Sequence, residues 1–324
     1  MPTTVSPSTT GKWRIFFSLI RAMQARVRVW GETTSTWPVM ILAHNEERHI
    51  EACLNSIFDA DPGAPLHAYV MANGCTDRTE DLVRRYSQRN PSVHLVSIKL
   101  GDKCNAWNVF VHETVPNQCP GQAIYFFMDG DARAVPGSFS AMAKVLDSER
   151  QAHAVGAPPA SGRSMAHDRE ELLRERGLVA NLYALRGAFV ERCQALNVRI
   201  PLKLEGDDGL IGALVRWNLE PRQPMDPQLI APCADAGFLF ESFKVSRPSQ
   251  WLAYWKRMVR YGRRQYEFAI LGPRLSAGGL SAMPKDIRDI YRDADDLRLT
   301  WNGIYTLNNW FALREMRRLA RNPS

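Results

Sequence analysis

No stretch of the 324 residues approaches the ~18 uninterrupted apolar residues that a membrane-spanning helix requires. Near the N-terminus the apolar residues 16–20 are few and bracketed by Arg14 and Arg21, so no secretory signal is expected. Six cysteines occur and none forms a C-x-x-C pair, which sets aside the common zinc and redox patterns and fits reduced thiols of a cytosolic protein better than disulfides. There is no internal repeat, and no low-complexity stretch beyond the Ser/Thr/Pro-rich residues 1–10, which read as disordered. Uniform basic charge is missing as well. The net +7 divides into +4 over residues 1–37, −6 over 38–243 and +9 over 244–324. An acidic middle between basic ends is not the basic stripe of a nucleic-acid binder, and no nucleic-acid partner is expected. The pattern fits an active-site body carrying carboxylates, flanked by segments that meet something anionic.

What is present is an average globular composition, 45% apolar and 23% charged, long enough for one large domain or two small ones. Residues 11–30 read as an amphipathic helix with Phe16, Ile20, Met23 and Val27 near one face. Apolar runs at 39–43, 68–72, 93–98 and 123–128 then alternate with helical periods at roughly 30-residue intervals. Such alternation implies an α/β protein with a mostly parallel sheet covered on both faces, and ligands in such sheets collect outside the carboxyl ends of the strands. The later part is less regular. Residues 167–197 read as helical with a break at Arg186-Gly187, residues 229–245 as short strands, and 248–270 and 299–320 as helices. Tyr183 to Arg186 is either a lining of an acceptor pocket or a helix–helix contact.

Three strand ends carry polar clusters: His44-Asn45-Glu46-Glu47, Asn73-Gly74 and Asp129-Gly130-Asp131. Two carboxylates one residue apart, where the chain leaves the sheet, can both reach the crevice. Their hard oxygens favour Mg²⁺ or Mn²⁺, ions that commonly complete their shells with substrate phosphates. A plain Asp-Gly turn is the bland alternative. Glu205-Gly206-Asp207-Asp208 precedes another helix, where the acids either serve as a base or complement the helix dipole. Asp77 reads as a helix cap rather than a reactive group, and His44 as a packed or hydrogen-bonded ring.

Taken together, Val39-Met-Ile-Leu-Ala-His-Asn-Glu-Glu47, Ala72-Asn-Gly-Cys-Thr-Asp-Arg-Thr79, Gly101-Asp-Lys-Cys-Asn-Ala-Trp-Asn108, Met128-Asp-Gly-Asp131 and Glu205-Gly-Asp-Asp208 follow one another as in family 2 glycosyltransferases, which the chain resembles over residues 38–218. The resemblance implies a GT-A fold with N- and C-terminal helical extensions, a UDP- or GDP-linked sugar donor, and Mn²⁺ or Mg²⁺. It divides the chain into a tail and basic amphipathic helix (1–36), a catalytic domain (37–245) with a nucleotide-binding half (37–131) and an acceptor half (132–245), and a basic helical segment (246–324).

Residue by residue, the resemblance implies that the backbone at Leu42 and Ala43, with Asn45 and Glu46, cradles the nucleoside. Asn73 stands where the family usually has an aspartate that accepts a uracil N–H. An amide carbonyl can also accept, but without the charge the nucleobase stays open. Lys103 matches the family's basic residue near the nucleotide, or is a solvated lysine at a helix start. Asp129 would touch ribose or metal, and Asp131 would hold the metal on the diphosphate. Asp208, with Asp207 as the alternate, would deprotonate a hydroxyl acceptor in an inverting displacement. Glu205 receives no role.

Arg260 and Arg263 are candidates for diphosphate or acceptor contact, although Tyr261-Gly262 departs from the Gln-x-x-Arg-Trp pattern of processive synthases. Anionic headgroups, a lipid-linked diphosphate acceptor or plain solvent are the other readings of this basic helix. Residues 11–30 either lie on a membrane surface or pack on the catalytic domain. The expected activity is metal-dependent, inverting transfer of one or a few sugars from a nucleotide-diphospho-sugar, in cell-surface glycan or glycolipid synthesis. The enzyme is expected in the cytoplasm, peripheral to the inner membrane face. Alternatives are a degenerate, membrane-associated scaffold, or a sugar-phosphate nucleotidyltransferase. The last normally has a glycine-rich loop where this chain reads Leu42-Ala43-His44-Asn45-Glu46.

Overall fold

Four apolar runs form the parallel part of a sheet because both of their faces are covered. A computed structural model describes residues 35–241, 251–299, 301, 303 and 305–321. Strands β1 (Trp37–Ala43), β2 (Leu66–Asn73), β3 (Val93–Ile98) and β4 (Ile124–Asp129) run parallel in the order β3-β2-β1-β4. Helices α1 (Ile50–Ala60), α2 (Thr79–Arg89) and α3 (Lys103–Val109) connect them, and α3 continues through a π-helical turn, Phe110–Thr114, into α4 (Val115–Gln118). Met40, Met71, Tyr125 and Phe127 enter one core, while their neighbours Val39, Ile41, Val70 and Phe126 enter the other. Burial on both faces is why β1, β2 and β4 carry uninterrupted apolar runs, whereas β3 at the sheet edge, with His94 and Ser97, is only partly buried.

The chain then adds β5 (Arg133–Ala134), α5 (Ser138–Ser148), β6 (Ala154–Gly156), α6 (Met165–Glu175), β7 (Leu182–Arg186), α7 (Gly187–Ala195), α8 (Asp207–Arg216), β8 (Ile230–Pro232) and β9 (Phe238–Leu239). The full sheet order is β3-β2-β1-β4-β7-β6-β8, with β7 antiparallel to both neighbours, and β5 pairs with β9 in a separate ribbon. The expected mostly parallel sheet with helices on both faces is therefore observed.

One expectation is corrected. Residues 167–197 are not a broken helix, because Leu182–Arg186 is a strand inserted between β4 and β6. Tyr183 stacks on Phe127 with ring centroids 4.7 Å apart, and Arg186 donates to the carbonyls of Leu146, Glu149 and Ala152. That stretch is part of the sheet rather than a helix–helix contact.

The basic C-terminal segment forms α9 (Trp251–Gly278), 3₁₀ turns at Gly279–Ala282 and Ile287–Asp295, and α10 (Tyr305–Arg321). Its Leu271, Leu275, Ile287, Tyr291, Leu313 and Met316 share the core of Met40 and Phe127, so this segment is built into the body of the protein. The helix expected over 11–30 and the tail before it lie outside the described residues. Among the described residues no helix is long and apolar enough to cross a membrane, and all six cysteines are unpaired.

Candidate active site

Strand register brings the polar ends level. Leu42 pairs with Asp129, Ala43 with Ala72, and Asn73 with Ile98, so the loops leaving β1, β2, β3 and β4 emerge side by side. Much of their polarity ties them together. Asn45, in the left-handed region at φ 58°, accepts from the Thr76 N–H at 2.8 Å, and the Glu47 N–H donates to Asp77 at 3.0 Å. Asp77 also accepts from the Thr79 N–H and hydroxyl at 2.9 and 2.6 Å, which is the expected cap. The His44 ring contacts the Asn73 carbonyl at 2.6 Å.

Asn73 is buried, and its amide oxygen accepts from the Asp102 N–H at 2.7 Å. Asp102 in turn caps α3 through Asn105 N–H at 2.8 Å, and its other oxygen accepts from Lys203 N–H at 2.7 Å. A Cβ on Gly74 would lie 2.6 Å from the Gly101 Cα, so glycine there permits this approach. Gly130 serves the same end in the Asp129-Gly130-Asp131 turn. Its N–H donates to the Leu42 carbonyl at 2.8 Å, and a Cβ would meet that same oxygen.

These ties set Lys103 on the floor of a cleft of about 1160 Å³ that Asp129, Asp131, Asp207 and Asp208 also line. The Lys103 ammonium lies 3.1 Å from Asp207 and 3.8 Å from Asp129, bridging the end of β4 and the start of α8. Burial alone would lower its pKa, but Asp129, Asp207 and Asp208 outweigh that and hold it above the ordinary value. Asp129 is pushed up to about 6, first by burial and then by Asp131, Asp207 and Asp208, with Lys103 working the other way. Asp207 is raised by burial and by Asp208, again against Lys103. Asp208 accepts from the Gly209 N–H and pairs with Arg264 at 3.2 Å through one oxygen, and among the described residues its other oxygen has no partner. Asp131 is exposed and unpaired among the described residues.

A second network holds the same turn from behind. Arg263 pairs with Glu205, with Glu315 of α10 at 3.2 Å, and approaches Glu267 at 3.7 Å. Glu267 is 0% exposed; it accepts from the Glu205 N–H at 2.9 Å and the Tyr291 hydroxyl at 2.5 Å. Burial pushes its pKa up to about 7 despite the Tyr291 hydrogen bond and the Arg263 charge. Gly206 and Gly209 let α9 pack close, since a Cβ on either would crowd Arg264 and Phe268.

Residues 39–197, just under half of the chain, match the model described as Glycosyl transferase family 2. Those residues form a glycosyl transferase family 2 domain. No curated protein matches. Among solved structures, the chain is similar to the mannosyltransferase PcManGT from Pyrobaculum calidifontis in complex with GDP-Man and Mn²⁺, at 16% identity and TM-score 0.55, covering 95% of each chain. Matches to glucosyl-3-phosphoglycerate synthase from Mycobacterium tuberculosis (18% identity, TM-score 0.48, 81% of this chain and 86% of that one) and to S. aureus TarS 1-349 (12%, 0.47, 89% and 92%) are more distant. The likeness to PcManGT shows a fold of GT-A type, and the family match over residues 39–197 marks the chain as a glycosyltransferase.

The structure brings Lys103, Asp129 and Asp131 of this domain together in the cleft with Asp207 and Asp208, which follow the matched residues, and Arg260 and Arg263 line its C-terminal wall. Arg263 is engaged by three glutamates, whereas Arg260 is exposed and has no ion pair among the described residues. Lys103 is an ion-pair bridge rather than a solvated lysine. Leu42 and Ala43 offer carbonyls already accepting from Gly130 N–H and the Cys75 thiol. Asn45 and Asn73 point their amide oxygens at loop N–H groups. Glu46 has a raised pKa through burial, which its His49 hydrogen bond offsets and Asp131 reinforces. Asp102 and Glu267 were missed from sequence. Asp102 carried a signal, an aspartate directly before a helix; Glu267 carried none, because its partners come from three separate segments.

Proposed function

We propose that the enzyme transfers a sugar from a nucleotide-diphospho-sugar to a hydroxyl acceptor, with inversion. The observation that carries this is the convergence of Lys103, Asp129, Asp131, Asp207 and Asp208 in one cleft at the carboxyl ends of the strands. In a single displacement the acceptor oxygen bonds to the anomeric carbon as the bond from that carbon to the diphosphate oxygen breaks. The nucleoside diphosphate departs with the electron pair, and the acceptor proton passes to a carboxylate. Asp208 is that base in our reading: each acid has one oxygen in an ion pair, Asp208 with Arg264 and Asp207 with Lys103, but Asp207 is the more buried and its partner Lys103 is shared with Asp129. Lys103 places a positive charge where the leaving group gains negative charge.

The donor set fits a hard divalent cation. Asp131 presents an exposed carboxylate without an ion pair among the described residues, one residue from Asp129. Hard carboxylate oxygens favour such an ion, which commonly completes its shell with substrate phosphate and water. Asp131, with Asp129, would hold Mn²⁺ or Mg²⁺, which supplies Lewis-acid stabilisation of the diphosphate when bound. PcManGT, of similar fold, was solved with GDP-Man and Mn²⁺, which supports this donor and cation class. The +9 charge of residues 244–324 supports a glycan or lipid-linked acceptor and a cytoplasmic enzyme peripheral to the inner membrane face.

Calorimetry of the full chain with UDP or GDP, with and without Mn²⁺, tests the reading. Metal-dependent binding is expected for one nucleotide and should vanish in Asp131→Ala. Equal affinity in that variant would remove Asp131 from the metal site. Donor hydrolysis without acceptor separates an active enzyme from a scaffold.

A further inference from the structure

A second cavity adjoins the cleft. It is a groove of about 730 Å³ between α9 and α10, in the size range of small-molecule sites (~300–1,000 Å³). Its apolar surface comes from Trp255, Val259 and Phe311, and the Trp255 and Phe311 rings meet edge-on at 5.2 Å. Its rim is basic: Lys256, Arg260, Arg314 and Arg318 are all exposed, and the groove's one acid, Glu315, is paired with Arg263. Spacings of one, four and five residues on α9, and of three and seven on α10, put these side chains on facing flanks of the helices. Arg260 and Arg263 line both cavities, so groove and cleft adjoin at these two side chains. Arg263 is fixed in the wall by Glu205, Glu267 and Glu315; Arg260, at the shared boundary, has no ion pair among the described residues.

We propose that this groove binds the lipid chain of an amphiphilic acceptor whose phosphate or diphosphate pairs with Arg260, leaving its head in the cleft. The inference rests on the cleft being the site of sugar transfer. Apolar walls select a hydrocarbon chain, the rim selects an anion, and Arg260 at the boundary of the two cavities sets their order: chain in the groove, phosphate at Arg260, reacting head in the cleft. Other occupants fit less well. The chain's own amphipathic segment, residues 11–30, carries five basic residues and no acid, which would set like charges against the rim. A second copy of α10 would do the same.

The experiment is calorimetry of the full chain, without donor, against decyl phosphate below its micelle concentration, decanol and inorganic phosphate. Decyl phosphate should bind about tenfold or more tighter than inorganic phosphate, and more tightly than decanol. Arg260→Gln, a change at an exposed position, should weaken it about tenfold and leave decanol binding unchanged. Equal affinity for decyl and inorganic phosphate overturns the groove as a chain site, and an unaffected Arg260→Gln overturns the placement of the phosphate. Binding only to phosphatidylglycerol vesicles, insensitive to Arg260→Gln, would make this face a bilayer contact and overturn the acceptor site. Nucleotide titrations on the same preparation keep the two readings apart: decyl phosphate binding without nucleotide binding leaves the groove and removes the transferase reading, and the reverse result removes the groove.

Discussion

Two charge networks grip the turn from Glu205 to Asp208, one from the cleft and one from behind it. On the cleft side Lys103 bridges Asp129 and Asp207, and solvent reaches all of them. Behind it, Arg263 and the buried Glu267 fasten Glu205 to α9, to Tyr291 and to α10. The first centres on a lysine and carboxylates that face the cleft; the second centres on Glu267, which is fully buried, with Arg263 reaching the cavity walls. The turn between them holds Asp208, so removing charge from the turn, from its front and from its back should give three different phenotypes.

The turn itself should show the largest effect. Asp208→Asn is expected to lower kcat by roughly 10²–10⁴-fold with donor binding retained, the range for loss of a positioned general base. Asp207→Asn should act differently, because it strips Lys103 of its nearer partner and so weakens donor binding as well as turnover. Steady-state kinetics with separate donor titrations distinguishes the two. Full activity in Asp208→Asn, with turnover lost but donor binding intact in Asp207→Asn, would reverse the assignment.

Breaking the front network is expected to act through pH. Asp129 sits at about 6 with Lys103 pulling its pKa down against burial, so its ionised form is lost as pH falls through that value. Metal-dependent nucleotide affinity should weaken over the same window. Lys103→Met removes the one opposing charge, and the acidic limb should move upward by about one unit or more. An unshifted limb would mean that Asp129 is not the group whose ionisation binding requires.

The front network was largely legible in the sequence because local signals reported it: apolar runs ending in Asp129-Gly130-Asp131, and acids opening a helix at Asp207. The back network was not. Arg263 and Glu267 sit in a helix whose composition reads as a charged face, and their partners Glu205, Tyr291 and Glu315 are remote in sequence. Only folding makes Glu267 the most buried acid of that helix pair. The strand Leu182–Arg186 escaped for a related reason. A four-residue apolar run flanked by Gly177 and Gly187 fits a buried helix turn as well as a doubly buried strand, and only pairing with β4 and β6 decides it. Asn73 shows the converse. Its place in the motif was clear, but the amide oxygen on Asp102 N–H gives it a positioning task that spacing does not reveal.

Breaking the back network should have the smallest effect on turnover and a readable one on stability. The Glu267 carboxyl is raised from an ordinary 4.5 to about 7, so the folded state holds its proton more tightly than the unfolded chain does. Its stabilising contribution is fully present below pH 4.5 and is lost as pH rises through about 7. At 1.36 kcal/mol per pKa unit, the loss is on the order of 3 kcal/mol. Glu267→Gln cannot ionise and still offers an oxygen to the Glu205 N–H. Urea unfolding at pH 5 and pH 8 should therefore show wild type losing more stability between the two than the variant does, since Asp129, Asp207 and the other shifted groups contribute equally to both proteins. Parallel profiles would mean that Glu267 is ionised throughout, and that Arg263 holds the turn by charge alone.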